Sequence, residues 1–419
     1  MKIAVIGSGI SGLGAAYHLS SRHEVSLFEK AERLGGHTHT HSIATSAGVL
    51  PIDSGFIVHN DRTYPNLIRL FSELGLERLE SDMSWGVTTS GYGFEYSSNG
   101  LSGFFAQRRN VLNPRHWKLL ADIVRFNREA LALADAGKAD SMMLGPFLEQ
   151  RGYGETFLNK YLYPTVAAIW STAPRRVLKF PALTLIRFFD NHGLLTLQGH
   201  PTWKVLRGGS SVYIEKLIQP LGGRVYTNAA ITGLRRLDDG RVALQPMGQP
   251  EIIFDRVVIA CHGPQALALL SDASAQEREI LAAFQTSTNQ AILHTDERLL
   301  PRREAARASW NYLLSSDPQS PATLTYDMNR LQRLPTRERY LVSLNAKSRI
   351  DPARILREME YQHPLYTLAA IRAQGRWEEI SGARGVHFCG AYWRYGFHED
   401  GYWSALRVAR QLGVPCEIH

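Results

Sequence analysis

The feature that most constrains the fold is a glycine turn close to the start of the chain. An apolar run leads into Gly7-x-Gly9-x-x-Gly12, and a helix-like stretch follows it. This order predicts a buried parallel strand, a tight turn and a helix whose N-terminal N–H groups face a bound anion. A second apolar strand then delivers Glu29, where an acidic side chain accepts hydrogen bonds from an adenosine ribose. The sequence therefore predicts that this unit binds a dinucleotide.

Length and composition limit the class of protein. A chain of 419 residues predicts about two domains, and 44% apolar with 21% charged residues is typical of a globular protein. No apolar run approaches the roughly 18 residues that a membrane span needs. Met1 leads directly into the first predicted strand, which leaves no room for a signal peptide. The cysteines, Cys261, Cys389 and Cys416, show neither metal-ligand spacing nor a disulfide framework. We therefore expect a cytoplasmic protein.

The residues after Glu29 decide which dinucleotide is expected. Lys30-Ala-Glu-Arg33-Leu-Gly35-Gly36-His37 is followed by Asp53-Ser-Gly55-Phe56. Here the sequence resembles the flavin amine oxidase superfamily, which carries an Arg-x-Gly-Gly segment on the FAD pyrophosphate and an Asp-x-Gly segment beside the flavin. The chemistry agrees, because a charged, forked guanidinium suits phosphate and paired glycines permit close main-chain approach. The resemblance implies tightly held FAD.

The C-terminal element is expected to close the flavin site. A strand and glycine turn end at Gly390 and Ala391, and a helix is predicted from about Tyr402. In the superfamily such a helix N-terminus lies against the flavin ring, where it stabilises the negative charge that hydride transfer creates. The resemblance also implies a main-chain contact to adenine at Val225. The residues expected to contact FAD are Gly7, Gly9, Ser11, Gly12, Glu29, Lys30, Arg33, Gly35, Gly36, His37, Asp53, Gly55, Phe56, Val225, Gly390, Ala391, Gly401 and Tyr402.

The resemblance covers essentially the whole chain and implies an α/β fold. An FAD-binding, Rossmann-like domain of the amine oxidase and glutathione reductase type is interleaved with an α+β substrate domain. We assign the discontinuous FAD-binding domain to 1–85, 205–275 and 380–419. The substrate domain, with a helical insertion, takes 86–204 and 276–379.

The helical insertion mixes basic and aromatic residues. Such a surface could contact anionic lipid headgroups, but it could also be an ordinary amphipathic helix whose aromatics fill the core. The net charge of +8 is compatible with either, and no nucleic-acid recognition module is apparent. The basic residues are Arg108, Arg109, Arg115, Lys118, Arg125, Arg175, Arg176 and Lys179, and the aromatic ones are Phe104, Phe105, Trp117, Phe126, Phe180 and Phe188.

Four residues near the predicted flavin are candidates for acid–base work. His398 is one, because a histidine can take or give protons near neutral pH. The carboxyls of Glu399 and Asp400 would have raised pKa values in a dry pocket, and Tyr395 lies close by in sequence. Alternatively, Asp400 only caps the final helix. No metal site is predicted, because the alternating residues His37, His39 and His41 have no carboxylate or cysteine at ligand spacing. Many amine oxidases hold a water near flavin N5 with a lysine. Here Lys160, Lys179 and Lys204 match that context only as guesses.

The C-terminal string Cys389-Gly-Ala-Tyr with Gly396-Phe-His-Glu-Asp-Gly resembles a narrower branch. Its members are bacterial flavoproteins that accompany lipid methyltransferases of the cyclopropane-fatty-acid-synthase type. That resemblance implies desaturation or oxidation of an unsaturated or methyl-branched acyl chain, on a phospholipid at the inner face of the membrane. Two alternatives stay open. One is an amine, polyene or porphyrinogen oxidase, and the other is a non-catalytic FAD-bearing partner of a lipid methyltransferase.

Overall fold

The computed structural model describes residues 1–45, 48–135, 142–170, 178–195, 201–314 and 323–419. The first sheet is built from five parallel strands whose residues are mostly buried, as expected of a sheet covered on both faces, while Lys2, Glu24 and Tyr226 at its margins are exposed. Its register pairs Ile3 with Val25 on one side and with Arg256 on the other. In spatial order the strands are Val225–Tyr226, Glu24–Phe28, Lys2–Ile6, Arg256–Ile259 and Val386–Phe388.

The first and last helices pack together on the parallel sheet. Ile10–Leu19 begins directly after the glycine turn, and His398–Gln411 lies against it. Their contact is close: a Cβ placed at Gly14 would lie 2.7 Å from the Tyr402 ring. This packing brings the first and the last helix of the chain into direct contact.

A mixed sheet of seven strands forms the second layer. Trp85–Thr89 pairs parallel to Trp310–Leu314, and the other neighbouring strands pair antiparallel. The order is Ile355–Pro364, Thr286–His294, Leu341–Leu344, Thr323–Asp327, Trp310–Leu314, Trp85–Thr89 and Glu95–Ser97. Three smaller sheets complete the described part of the fold. One contains Ile231–Arg236, Val242–Pro246 and Ile252–Phe254, and a second pairs Thr40–Thr45 with Gly48–Asp53. In the third, Trp203–Leu206 lies between His59–Asn60 and Arg78–Glu80.

Helices cover both sheets and form the insertion. The others are Pro65–Glu73, Gly100–Phe104, Pro114–Asp135, Leu144–Gln150, Glu155–Phe157, Tyr163–Trp170, Ala182–Asn191, Val212–Ile218, Gly263–Leu269, Ala275–Ala282, Met328–Leu331, Leu368–Gln374 and Trp377–Ile380. Among the described residues, no helix combines the length and the apolar character that crossing a bilayer requires.

The predicted α/β fold is confirmed. The parallel sheet takes strands from 1–85, 205–275 and 380–419, and the seven-stranded sheet lies almost wholly in the remaining segments. The boundaries of the two domains stay a prediction.

The aromatic residues of the helical insertion are mostly core residues. Phe104, Phe105, Phe126, Phe180 and Phe188 are buried, which agrees with the amphipathic-helix alternative. By contrast, the Trp117 side chain is 47% exposed, and Lys179 is also exposed. Arg175 and Arg176 lie outside the described residues.

Candidate active site

A single elongated cavity of about 800 Å³ runs from the glycine turn, past the start of the last helix, to the seven-stranded sheet. Most of the residues predicted to hold the cofactor line it, together with two of the four acid–base candidates. They are Gly7, Gly9, Ser11, Glu29, Lys30, Arg33, Gly36, His37, Gly55, Phe56, Gly390, Ala391, Tyr395 and His398.

The glycine turn leaves main chain bare at one end of the cavity. Gly7 has a φ of +101°, which disfavours any other residue. A Cβ at Gly9 would meet no described atom within 4 Å, so this position faces open space. A Cβ at Gly12 would lie 1.8 Å from the carbonyl oxygen of Gly7. Gly9 therefore serves the occupant of the cavity, whereas Gly12 serves the packing of helix on turn.

The carboxylate of Glu29 is fixed at the end of the second strand. It accepts hydrogen bonds from the Ser8 main-chain N–H at 2.9 Å, from Ser8 Oγ at 2.6 Å and from the Ala31 N–H at 2.9 Å. Because Glu29 lines the cavity beside the bare turn, its carboxylate is positioned for the hydroxyl groups of a ribose.

The cations of the described cavity wall, Lys30 and Arg33, lie at this same end. The Arg33 guanidinium donates to the carbonyl oxygens of Gly36 at 2.7 Å and of Thr38 at 3.2 Å, which holds the Gly35–Gly36 turn in shape. Burial lowers the pKa of Arg33, yet an arginine stays charged at neutral pH. Two cations and a helix N-terminus fit a pyrophosphate.

Three neutral imidazoles follow along the cavity wall. The ring of His37 stacks on Tyr361 at 5.2 Å and lies 5.4 Å from His363 and 6.3 Å from His262. Burial, with the neighbouring imidazoles, holds the pKa of His37 well below its usual value. His37 Nε2 is buried without a hydrogen-bond partner among the described residues. An unpaired buried nitrogen on this wall indicates that the cavity's occupant supplies the partner.

The last helix begins one turn earlier than predicted. Asp400 caps it by accepting from the Phe397 N–H at 2.9 Å, and the first intrahelical bond joins the Gly401 N–H to the Phe397 carbonyl. The N–H groups of His398, Glu399 and Asp400 therefore precede that bond and form the positive end of the helix.

This earlier start corrects two predicted cofactor contacts. A Cβ at Gly401 would meet Ile10 at 2.7 Å, so Gly401 packs the last helix on the first. The Tyr402 hydroxyl pairs with His18 Nε2 at 2.7 Å on the side away from the cavity. The alternative that Asp400 acts as a helix cap agrees with the structure.

Glu399 is also a cap, but of another helix. Its carboxylate accepts from the N–H groups of Asn66 and Leu67 at 3.1 and 3.0 Å and from Asn66 Nδ2 at 2.5 Å, at the start of Pro65–Glu73. Burial raises its pKa, although these hydrogen bonds oppose that effect. Neither Glu399 nor Asp400 lines the cavity, which corrects the expectation that they handle protons there.

His398 keeps a place at the cavity wall. Its ring stacks on Phe56 at 3.8 Å with an interplanar angle of 7°. Its Nε2 lies 2.8 Å from Thr38 Oγ1 and 3.3 Å from the Tyr213 hydroxyl, and these two hydroxyls also bond to each other. Burial lowers the pKa of His398 to about 3, so the ring is neutral at pH 7. Tyr395 lines the cavity next to it.

The remaining predicted contacts lie behind the wall. Gly35 has a φ of +107° and packs against Ile214. Val225 sits in the edge strand, paired with Leu27, and Ile231 lines the cavity instead. Val225 is not among the residues that line the cavity, and the adenine contact there stays a prediction.

Asp53 is a buried junction between segments. It accepts from Thr40 Oγ1 at 2.5 Å, from the N–H and Oγ of Ser210 at 2.9 Å each, and from Gln332 Nε2 at 3.1 Å. Burial raises the pKa of Asp53 to about 6, although these bonds oppose the shift. Asp53 thus ties the segment after the Gly-Gly turn to the loop near Ser210 and to the second layer.

Replacing Asp53 tests this role. Asp53→Ala removes the acceptor of several buried donors, so we expect it to lower the free energy of unfolding by roughly 3 kcal/mol or more. Asp53→Asn keeps one acceptor oxygen and should cost clearly less. Urea unfolding of both variants measures the difference. Equal and small losses in the two variants would contradict the junction role.

The far end of the cavity is an aromatic chamber that sequence reasoning missed. The charged side chains that line the described cavity are Glu29, Lys30, Arg33 and the exposed Glu360. None of them belongs to the chamber, so its described walls carry no charge. The chamber is lined by Val58, Met83, Trp85, Thr165, Phe188, His192, Leu194, Trp203, Trp310, Tyr326, Tyr366, Tyr395 and Phe397.

The sequence offered three lysines as candidates, and none of them is among the described residues that line the cavity. Lys160 Nζ lies over the Phe94 ring at 4.0 Å, and Lys204 Nζ donates to Asp61 at 2.6 Å. Lys179 is exposed. In the described part of the chain, the site therefore has no counterpart of the lysine found in many amine oxidases.

Comparison with known proteins agrees with the geometry. Residues 10–343 match the family model described as flavin containing amine oxidoreductase. The flavin-dependent L-tryptophan oxidase RebO of Lentzea aerocolonigenes is 42% identical over 55 residues, which are 13% of this chain and 12% of that protein.

Two solved structures share the fold over nearly their full length. Wild-type putrescine oxidase with bound putrescine is 17% identical, with a TM-score of 0.69 over 98% of this chain and 99% of the other. A CLA-producing fatty acid isomerase from P. acnes is 16% identical, with a TM-score of 0.69 over 97% and 98%. The family's cofactor is a flavin, and the ribose, pyrophosphate and helix positions described above fit FAD. The chain belongs to the flavin-containing amine oxidoreductase family.

Proposed function

We propose that this FAD-dependent oxidoreductase desaturates or oxidises an unsaturated or methyl-branched fatty acyl chain, presented on a phospholipid. The observation that carries the proposal is the aromatic chamber, whose described walls are uncharged. An acyl chain gains free energy from burial against such walls and needs no charged partner. The likeness of the C-terminal string to flavoproteins that accompany lipid methyltransferases supports the same substrate class.

The residues around the chamber have separate roles in this proposal. FAD, when bound, would supply the hydride-accepting redox chemistry that the protein side chains lack. The positive end of the last helix, at His398–Asp400, favours negative charge at the adjoining wall. The neutral His398 ring, bonded through Nε2 to Thr38 and Tyr213, offers a path for a proton away from a dry chamber. Trp85, Phe188 and Phe397 exclude water from it.

Amine oxidation is the second candidate. Putrescine oxidase shares the fold, and aromatic rings can hold a cation through their faces. Against it, the described chamber lacks a lysine, and no carboxylate lies there to pair with an ammonium group. The likeness to putrescine oxidase does not favour an amine over an acyl chain, because the fatty acid isomerase shares the fold to the same degree.

The test is anaerobic reduction of the bound flavin. We expect detergent-dispersed phospholipids with methyl-branched or unsaturated chains to bleach the visible flavin absorbance. Mass spectrometry should then find acyl chains that have lost two hydrogens. If these lipids leave the flavin oxidised while an amine panel bleaches it, the acyl-chain proposal is wrong.

Met83 offers a matched pair of variants for the chamber. It lies with Trp310 and Tyr326 in one apolar cluster. Met83→Glu places a carboxylate against the proposed acyl chain, whereas Met83→Gln has nearly the same size without charge. Because a buried charge lacks compensation there, we expect flavin reduction by lipid to be roughly 30-fold slower in Met83→Glu than in Met83→Gln. A faster reaction of Met83→Glu with amines would favour the second candidate.

A further inference from the structure

Exposed apolar side chains are concentrated in one stretch of the helical insertion. Among the described residues, five of the twelve large apolar side chains that are exposed fall between 101 and 124. Such a concentration marks an interaction surface rather than scattered surface residues. They are Leu101 at 67% exposure, Leu112 at 88%, Trp117 at 47%, Val111 at 46% and Val124 at 43%.

The start of Pro114–Asp135 and the segment just before it carry four of these side chains, and we call this surface the insertion face. The four are Val111, Leu112, Trp117 and Val124. The Trp117 indole donates to the Val111 carbonyl at 2.8 Å, and its ring lies 4.8 Å from the Phe105 ring. Val124 follows Trp117 by seven residues on Pro114–Asp135, so both project from the same side of that helix. Leu112 occupies the turn just before the helix.

Basic residues surround the insertion face. Arg108, Arg109, Arg115 and Lys118 are all exposed. The acidic side chain between 100 and 128 is Asp122, which is already paired with Lys118 at 3.0 Å and Arg125 at 3.1 Å. The face therefore combines apolar projections with a net positive charge.

We propose that the insertion face binds the surface of an anionic lipid bilayer. Leu112, Trp117 and their apolar neighbours enter the boundary between headgroups and acyl chains, while the arginines bind lipid phosphates. The proposal rests on the proposed function, because the bilayer is then the source of the acyl substrate. A second copy of this chain is a poor occupant, since pairing the face with itself would oppose like charges.

The insertion face also lies behind the chamber wall. Pro114–Asp135 packs its inner side against Ala182–Asn191. Phe126 of the first helix and Phe188 of the second share one apolar core, and Phe188 lines the chamber. Two packed helices therefore separate the proposed lipid contact from the proposed acyl site.

Vesicle binding by the holoprotein tests the proposal without turnover. We expect co-sedimentation with phosphatidylglycerol vesicles, little with phosphatidylcholine vesicles, and weaker binding at high salt. Leu112→Asp should weaken binding at least about tenfold, whereas Met247→Asp should not. Met247 is 64% exposed and lies in the turn after Val242–Pro246, away from the helical insertion. Arg108→Gln with Arg115→Gln should weaken it about 30-fold, and Arg337→Gln with Arg410→Gln should have a much smaller effect.

Two outcomes would contradict the proposal that the insertion face binds an anionic bilayer. One is equal binding of the parent protein to both vesicle types, or to neither. The other is loss of a dimer, seen by analytical ultracentrifugation, in Leu112→Asp. Because flavin reduction by detergent-dispersed lipid needs no bilayer, its success or failure is judged separately from vesicle binding.

Discussion

Lowering the pH from 7 to 5 is expected to lower the free energy of unfolding of this protein by about 6 kcal/mol. Buried histidines are the cause, since burial favours their neutral form and lowers their pKa from the usual value near 6.5. The pKa falls to about 3 for two of these rings and to about 4 for three others. They are His59, His398, His192, His294 and His363.

The direction of the effect follows from proton binding. Below pH 6.5 the unfolded chain binds protons that the folded chain refuses, so stability is complete above pH 6.5 and falls towards the folded pKa. At pH 5 each ring costs about 2 kcal/mol, and the five together about 10 kcal/mol.

Two buried carboxyls act in the opposite sense. Burial raises the pKa of Asp53 to about 6 and of Asp400 to about 7, so their protonation favours the folded state as the pH falls. At pH 5 their protonation raises the free energy of unfolding by about 4 kcal/mol. The net loss of about 6 kcal/mol is comparable to the whole stability of a typical protein.

Urea unfolding at pH 7 and pH 5 measures this loss, and one substitution identifies its source. Both ring nitrogens of His59 are buried without partners among the described residues, so His59→Phe sacrifices no hydrogen bond there. It should recover about 2 kcal/mol at pH 5. His419→Phe, at an exposed histidine, should leave the pH dependence unchanged. A stability that stays flat from pH 7 to 5 would contradict the prediction.

The second large effect separates two glycines of the same turn. Gly12→Ala would place a methyl group 1.8 Å from the Gly7 carbonyl oxygen, so the helix must move away from the turn. We expect it to cost more than about 3 kcal/mol of stability and to abolish flavin retention. In Gly9→Ala the methyl group meets no described atom within 4 Å. The fold should survive, but the methyl group would occupy space that the cofactor needs.

Flavin content and apoprotein stability distinguish the two variants. Gly9→Ala should unfold as apoprotein at the parent temperature and bind FAD roughly ten- to hundredfold more weakly. Gly12→Ala should fail in both measurements. If Gly9→Ala retains full flavin affinity, the turn does not carry the pyrophosphate.

Local sequence patterns identified the parts of the site that a few neighbouring residues build. The glycine turn, Glu29 and Arg33 all lie on the cavity because a strand, a tight turn and a helix fix one another within one short segment. The aromatic chamber could not be found this way. Its side chains come from positions as distant as Met83 and Phe397, and only the packed fold brings them together.

The errors have a common physical origin. Asp400 caps the last helix by a bond to Phe397, which starts the helix a turn early and turns Tyr402 away from the cavity. Glu399 serves a helix more than 300 residues away, beginning at Pro65, and no local pattern announces that partner. In both cases a buried main-chain N–H required an acceptor, and that requirement outweighed the expected role of the carboxylate.

The order of the parallel strands sets when the cofactor site can form. The central strand, Lys2–Ile6, can pair with Arg256–Ile259 only after about 250 further residues have been made. The cavity wall at Gly390 and His398 comes later still in the sequence. Contacts this distant in sequence form late and slowly. During synthesis the glycine turn therefore leaves the ribosome long before the opposite wall of the FAD site has been made. We therefore expect flavin binding to follow synthesis of the segment around residues 386–401, and the exposed apolar sheet favours aggregation until that segment has joined it.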